Sequence, residues 1–376
     1  MKIELLRNED HRHWDDFVLN HPRGELYHLS GWKTVIEKAY RHKTYYLTAI
    51  KELSDNQGEV QNKNNDNTPI CGILPLVHIK SMLFGSSLVS IPFFDLGGII
   101  ADDDETEKAL IEEAIKLGQK LKADTIELRH QTPLNWLDPS KQTSSSMPFA
   151  PHSMHCVTKS HKVRMMLELP ESSEVLMKSF KSKLRSQIKK PVKEGLEIIS
   201  GGIELLDKFY DVFTVNMRDL GSPVHSKKLL KSVMEVFSDR ARIFIVEKDK
   251  IPLACSMVIG FKKIAENPWA SALREYSRLS PNMLLYWGML EYACDNRFDF
   301  FDFGRSSPDE GTYKFKAQWG ASPVTLNWQL ITSEKDSINN NLSDKSGFSK
   351  AISIWQKLPV SLTKIIGPAL RKNISL

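Results

Sequence analysis

Lys314 and Lys316 stand in Gly311-Thr312-Tyr313-Lys314-Phe315-Lys316-Ala317-Gln318-Trp319-Gly320, where aromatic residues alternate with cations between glycines. An extended chain would put both lysines on one face and Tyr313 with Phe315 on the other; a helix would set Tyr313 above Lys316. Either way a lysine is held between aromatic side chains. Such a cation can stabilise negative charge growing on a carbonyl oxygen, a large contribution in acyl transfer. The competing reading is an aromatic hairpin with its lysines in solvent. Just upstream, Phe298-Asp299-Phe300-Phe301-Asp302-Phe303-Gly304-Arg305-Ser306-Ser307 is an aromatic strand ending in small residues and a cation. Small-molecule sites in α/β proteins favour such strand ends, although a plain exit from strand to loop uses the same residues.

The strongest charge feature is Lys178, Lys181, Lys183, Arg185, Lys189, Lys190 and Lys193, with no acid between the first and the last. Read as one helix over 173–190, Leu176, Phe180, Leu184 and Ile188 line one face, and Lys181, Arg185 and Lys189 form a parallel cationic row. A tRNA, a nucleotide-sugar diphosphate or an anionic lipid surface would satisfy that row; a solvated helix face is the equal rival. Other constellations are weaker. His152, His155, Cys156 and His161 lie in a Pro/Ser-rich stretch without metal-ligand spacing and read as loop. Asp102-Asp103-Asp104-Glu105 precedes a helix, and the helix dipole accounts for acids there. The phosphate-binding glycine loop, the dinucleotide fingerprint and the hydrolase elbow are all missing, and no His–Asp base pair is apparent.

The elements that must carry these residues fit a folded chain. Its 376 residues, 41% hydrophobic and 26% charged, predict two domains plus a tail rather than a disordered or fibrous protein. Four scattered cysteines without a C-x-x-C pair support neither a zinc ribbon nor a disulfide scaffold. No apolar run reaches the roughly 18 residues needed to cross a bilayer, and the acidic start is not a secretory signal; a cytoplasmic location is expected. Periodicity predicts strands over 2–6, 44–50, 70–79, 88–94, 97–100 and 125–129, helices over 11–19, 32–39 and 106–122, and a polar loop over 54–68. A polar bridge over 131–160 separates these from strands over 163–169, 196–199, 242–247, 254–261, 298–303 and 325–330 and helices over 173–190, 203–218, 229–237 and 280–295. The fold class is α/β (α+β), and the similar order in both halves suggests duplication without a residue-level repeat. The expected domains are 1–150, with strand 323–332 a candidate to complete it, and 160–322. Residues 333–376 form a polar linker and a short basic, amphipathic helical tail, which either docks on the body or lies on the inner membrane face.

Trp269-Ala270-Ser271, Arg274-Glu275-Tyr276, Leu279-Ser280-Pro281-Asn282, Leu284-Leu285-Tyr286-Trp287, Phe301-Asp302-Phe303-Gly304-Arg305-Ser306 and Gly311-Thr312-Tyr313-Lys314-Phe315-Lys316 together resemble the FemAB/FemX family of peptidoglycan bridge-forming aminoacyltransferases. The likeness is nearest to the branch associated with exosortase (PEP-CTERM) and exopolysaccharide loci. Val163-Arg164, Lys183-Leu184-Arg185, Gly195-Leu196, the run Asn216-Met217-Arg218-Asp219-Leu220-Gly221-Ser222-Pro223, Phe94-Asp95-Leu96-Gly97-Gly98 and Trp355-Gln356-Lys357-Leu358-Pro359 resemble that branch too. The resemblance covers most of the chain and is most specific in its last third.

That resemblance implies two consecutive GNAT-like domains and a reaction in which the amine of a nucleotide- or lipid-linked envelope precursor attacks the ester carbonyl of an aminoacyl-tRNA, with no metal or CoA cofactor. Lys316 is then the candidate for stabilising the oxyanion or positioning the acceptor end of tRNA, with Phe315 packing beside it. Arg218 and Lys33 are candidates for precursor phosphates, and Trp269, Arg274, Tyr276, Arg305, Tyr313 and Lys314 for further substrate contacts. Two features depart from the bridge-forming enzymes. Trp269-Ala270-Ser271 stands where they often carry Tyr and Gly before Ser, and no heptad-rich arm interrupts the second domain. A glycine-rich pyrophosphate turn opening a helix is also missing, which disfavours an acyl-CoA donor. The rivals are a CoA-dependent N-acyltransferase and a non-catalytic protein that binds RNA or a membrane surface.

Overall fold

The computed structural model describes residues 1–51, 69–81, 84–137, 155–332 and 345–375; the expected loop 54–68, His152 and most of the expected linker lie outside the described residues. The first run of elements is β1 (Lys2–Leu5), α1 (His11–Asn20), α2 (Gly31–Tyr40), β2 (Lys43–Ile50), β3 (Ile70–Ser81), β4 (Gly85–Val89), β5 (Ile100–Ala101), α3 (Asp104–Leu121) and β6 (Thr125–His130). Apolar spacing sets these helices: α1 buries Trp14 and Val18, and α2 buries Trp32, Val35 and Ile36. Asp103 caps α3, since its carboxylate accepts from the Thr106 N–H at 2.8 Å.

The second run is β7 (His155–Glu168), α4 (Ser173–Ser179), α5 (Ser182–Lys193), β8 (Glu197–Gly201), α6 (Leu206–Asp219), α7 (Lys227–Val236), β9 (Ala241–Lys248), β10 (Ile251–Phe261), β11 (Ile264–Ala272), α8 (Pro281–Asp295), β12 (Phe300–Ser306), α9 (Gly311–Ala317), β13 (Ser322–Thr332), α10 (Lys345–Lys357) and α11 (Val360–Arg371). The strands form one continuous sheet in the order β1-β2-β3-β4-β6-β13-β7-β12-β11-β10-β9-β8, with β5 beside β3. β13 lies between β6 and β7 and is antiparallel to both, so it joins the two halves. Each half contains one parallel crossover: β4–α3–β6 and β11–α8–β12. One hydrophobic core spans the halves, from Trp14 and Trp32 to Phe237 and Trp269, with a further core in each half.

Four expectations are corrected, and one open alternative is decided. The helix over 173–190 is two helices, because Phe180 and Lys181 are extended; this turns the Phe180 ring edge-on to Trp287 and Trp319. The buried stretch 88–100 is strand only at its ends. Ile91 (φ 51), Phe93 (φ 79) and Gly97 (φ 132) have left-handed backbone, and the loop inserts Phe94 against Tyr27 and Trp32. The polar bridge ends early, since β7 begins at His155 and takes Cys156 and His161 into a strand. β11 was not anticipated, because Asn267 and Pro268 interrupt its apolar pattern. Finally, 311–317 is a helix and not a hairpin.

The tail is docked on the body. The Arg218 guanidinium donates to Leu358 O at 3.1 Å, Gln356 donates to Asp219 O at 3.0 Å, and His42 Nε2 lies 2.7 Å from Lys372 O. Ser375 O accepts from the Phe93 N–H at 2.7 Å and from Arg129 Nη2 at 3.0 Å. Among the described residues no helix is long and apolar enough to cross a membrane.

Candidate active site

β11 and β12 pair in parallel only from Ile264–Phe300 to Glu266–Asp302, and then diverge. Gly304 stands where they part, with φ +76, a conformation glycine adopts without the strain a side chain would bring. Asp302 fixes this turn: its Oδ1 accepts from the Gly304 N–H at 2.8 Å, and its Oδ2 pairs with the Arg164 guanidinium at 2.8 Å. The turn presents two carbonyls to α9. Lys316 Nζ donates to Gly304 O at 3.0 Å and to Arg305 O at 2.9 Å, and the residue is only 7% exposed. A protonated lysine has three N–H donors, so two hold its position and one is left for a substrate. Burial pushes the Lys316 ammonium down to about 8, while Asp302 and Asp95 oppose that fall and Arg305 adds to it.

Asp95 is held by both of its polar ends. Its carboxylate pairs with Arg305 at 3.0 Å, and its backbone carbonyl accepts from Trp328 Nε1 at 3.0 Å. The Arg305 and Arg129 guanidiniums lie 5.2 and 4.3 Å from the centre of the Trp328 ring. Below Asp302, the buried Arg164 is also 3.3 Å from Glu25, and Glu266 lies close enough to feel its charge. Burial raises the Glu266 carboxyl well above its usual range; Arg164 opposes this, and Glu25 and Asp302 add to it.

Of the residues singled out from sequence, Lys316 and Arg305 come together here. Trp269 is buried on the core spanning both halves, 5.7 Å from Phe94. Phe315 does not wall the ammonium. It meets Tyr286 edge-on at 5.0 Å, inside the second half's core, and Tyr313 packs against the same core. The grip on Lys316 thus comes from carbonyl oxygens where aromatic faces were expected. Lys314 and Arg274 are exposed and Tyr276 is half-buried. Lys33 is bound to Glu37 at 2.6 Å and to Thr44 Oγ1 at 2.9 Å. Arg218 is bound to Asp219 at 2.6 Å and to the tail; both cations expected to meet precursor phosphates have partners of their own. In the basic row Lys181 and Lys189 are exposed, while Arg185 reaches back to Lys178 O at 3.3 Å. Sequence reasoning missed the roles of Asp302, Asp95, Glu25, Glu266 and Arg164. The available signal was an acid inside an aromatic strand, which in a buried setting calls for a partner.

Four findings set this geometry among known proteins. Residues 178–317 match the acetyltransferase (GNAT) domain family. The UDP-N-acetylmuramoylpentapeptide-lysine N(6)-alanyltransferase of Weissella viridescens is 22% identical over 320 residues, covering 81% of this chain and 87% of that protein. The crystal structure of FemX superposes with a TM-score of 0.59 at 15% identity, covering 87% of this chain and 97% of that one. A tandem GNAT protein from the clavulanic acid biosynthesis pathway, solved without AcCoA, gives a TM-score of 0.50 at 11% identity over 89% and 99% of the two chains. The fold is that of two GNAT-like domains, the chain is an acyltransferase, and the sequence kinship supports a place in the Fem family.

Proposed function

We propose that this acyltransferase, kin to the Fem enzymes, moves an aminoacyl group from an aminoacyl-tRNA ester to an amine of a nucleotide- or lipid-linked peptidoglycan or exopolysaccharide precursor. The observation that carries this reading is the fixed Lys316 ammonium beside the opening between β11 and β12. In the reaction the acceptor nitrogen lone pair attacks the ester carbonyl carbon, and the carbonyl electron pair moves onto oxygen. The third Lys316 N–H meets that oxygen as it becomes negative. Two backbone carbonyls already hold Nζ, so little reorganisation is needed when the charge forms. Collapse of the intermediate makes the amide and breaks the ester bond to ribose. The departing ribose oxygen takes up, directly or through water, the proton that the amine loses.

Losing one donor to an oxyanion costs about a hundredfold to a thousandfold in kcat where it has been measured in other enzymes. Lys316→Met is therefore expected to lower single-turnover transfer at least about tenfold, with an unchanged circular dichroism spectrum. An unchanged rate removes this residue from the chemistry. The GNAT-domain match favours a second reading, an acyl-CoA donor. Titration with acetyl-CoA and with aminoacyl-tRNA separates the two, and tight, saturable acetyl-CoA binding with transfer would replace the RNA donor.

A further inference from the structure

The reaction above leaves the basic helix and the cleft beside it unused. Because the chain is extended at Phe180 and Lys181, α5 begins afresh in the middle of the lysine cluster. No side chain caps its first turn, so backbone N–H donors and the positive end of a 12-residue helix face outward there. Lys181, Lys183 and Leu184 form one rim of a cleft of about 850 Å³, and the end of β7 and the turn Ala317–Gly320 form the other. Leu176 and Phe180 give it an apolar floor. Trp319 is part of the lining; it is 1% exposed, and its Nε1 has no hydrogen-bond partner among the described residues. Buried indole N–H groups normally find an acceptor, and here the described residues supply none. Glu168 is the one acid in a lining that also holds Lys181 and Lys183. The cleft also adjoins the catalytic helix: Trp319 N–H donates to Lys316 O at 3.1 Å.

We infer that this cleft seats the single-stranded 3′ end of an RNA donor, with one base on the apolar floor, an acceptor edge of that base on Trp319 Nε1, and phosphates at Lys181, Lys183 and the start of α5. The inference rests on the aminoacyl-tRNA reading and gives that donor its place. A lipid chain would cover the floor but bring no acceptor for the indole. Free phosphate would meet the lysines but leave the floor bare. Single-stranded RNA offers a flat apolar face, acceptor edges and a charged backbone at once.

The test uses the full-length protein and a fluorescein-labelled 12-nucleotide single strand ending in CCA, followed by anisotropy across a salt series, with aminoacyl transfer from charged tRNA measured alongside. Lys181→Glu combined with Lys183→Glu changes two exposed residues. It is expected to weaken RNA binding at least about tenfold and to flatten the salt slope by about one to two. Trp319→Phe removes the N–H and keeps a ring; it should weaken binding about fivefold with the salt slope unchanged. Should that core variant fail to fold, the lysine pair still decides. If both variants bind RNA within about twofold of wild type while wild type transfers from aminoacyl-tRNA, the donor stands and this seat is overturned. If wild type neither binds the strand nor uses the charged tRNA, the donor reading itself falls, and the seat with it. Loss of binding to phosphatidylglycerol vesicles in the lysine variant, with no RNA binding by wild type, would assign the rim to a membrane and also overturn the proposal.

Discussion

At the scale of single residues, the balance around Lys316 makes a pH prediction. Desolvation lowers its ammonium to about 8, and the charges of Asp302 and Asp95 keep it from falling further. The proposed oxyanion role needs the charged form, so kcat should decline as pH rises through about 8. The acceptor amine must be neutral to attack, which sets an opposing rise at lower pH. Asp302→Asn removes a negative charge that favours the ammonium, so the alkaline limb should move toward neutral pH. A pH–kcat profile of that variant decides; a limb that stays in place would separate Asp302 from the lysine. Lys316 stood out as a candidate because glycines bracket a short run of aromatics and cations. Its true partners were not, because Gly304 O and Arg305 O reach it only through a left-handed turn and a distant ion pair with Arg164. Phe315 was misjudged for a related reason. In a helix its neighbour in sequence points elsewhere, so it joins Tyr286 while Lys316 turns to the carbonyls.

At the scale of elements, apolar period located most helices and strands, and the errors cluster where side-chain packing bends the backbone. Phe180 breaks a basic helix to reach Trp287 and Trp319, and Phe94 needs the left-handed residues around it to reach the core. The tail is a similar case: its amphipathic pattern fitted a membrane face as well as a protein surface, and its contacts with α6, His42, Phe93 and Arg129 are formed by residues far away in sequence. Gly221 is where α6 meets the tail. It has φ +74, and a Cβ there would lie 2.4 Å from Ile352 Cγ2. Gly221→Ala should therefore cost about 1–2 kcal/mol from the left-handed backbone alone, seen in urea unfolding, and should speed proteolytic removal of the tail. Gly311→Ala is the control, since nothing lies within 4 Å of its Cβ position. If the Gly221 variant unfolds and cleaves like wild type, the tail is not seated through this contact.

Across the whole molecule, the order of elements suggested two similar halves, and strand 323–332 was a candidate to complete the first; that it also borders the second was not read. β13 follows the second half in sequence and completes the sheet between β6 and β7, a placement that no local pattern encodes. Beneath that junction one buried cation, Arg164, faces Glu25 from the first half and Asp302 from the second, with Glu266 close enough to feel its charge. Taking away the cation leaves buried acids without compensation, which typically costs about 3–5 kcal/mol. Arg164→Met should lose that much at neutral pH, and the loss should depend on pH with a definite sign. Burial raises the Glu25 and Glu266 carboxyls in the folded protein, and Arg164 opposes that rise. A carboxyl with a raised folded pKa adds stability that is complete below its unfolded pKa and is lost as pH climbs through the folded value. Without Arg164 these acids bind protons more tightly still, so the variant should recover much of its stability in mildly acidic solution and be weakest in mildly alkaline solution. Urea unfolding of both proteins at a pH of each kind measures the difference. An equal deficit at both would mean that the carboxyls keep their charge without the arginine, and that the halves are held together by the shared core and the sheet alone.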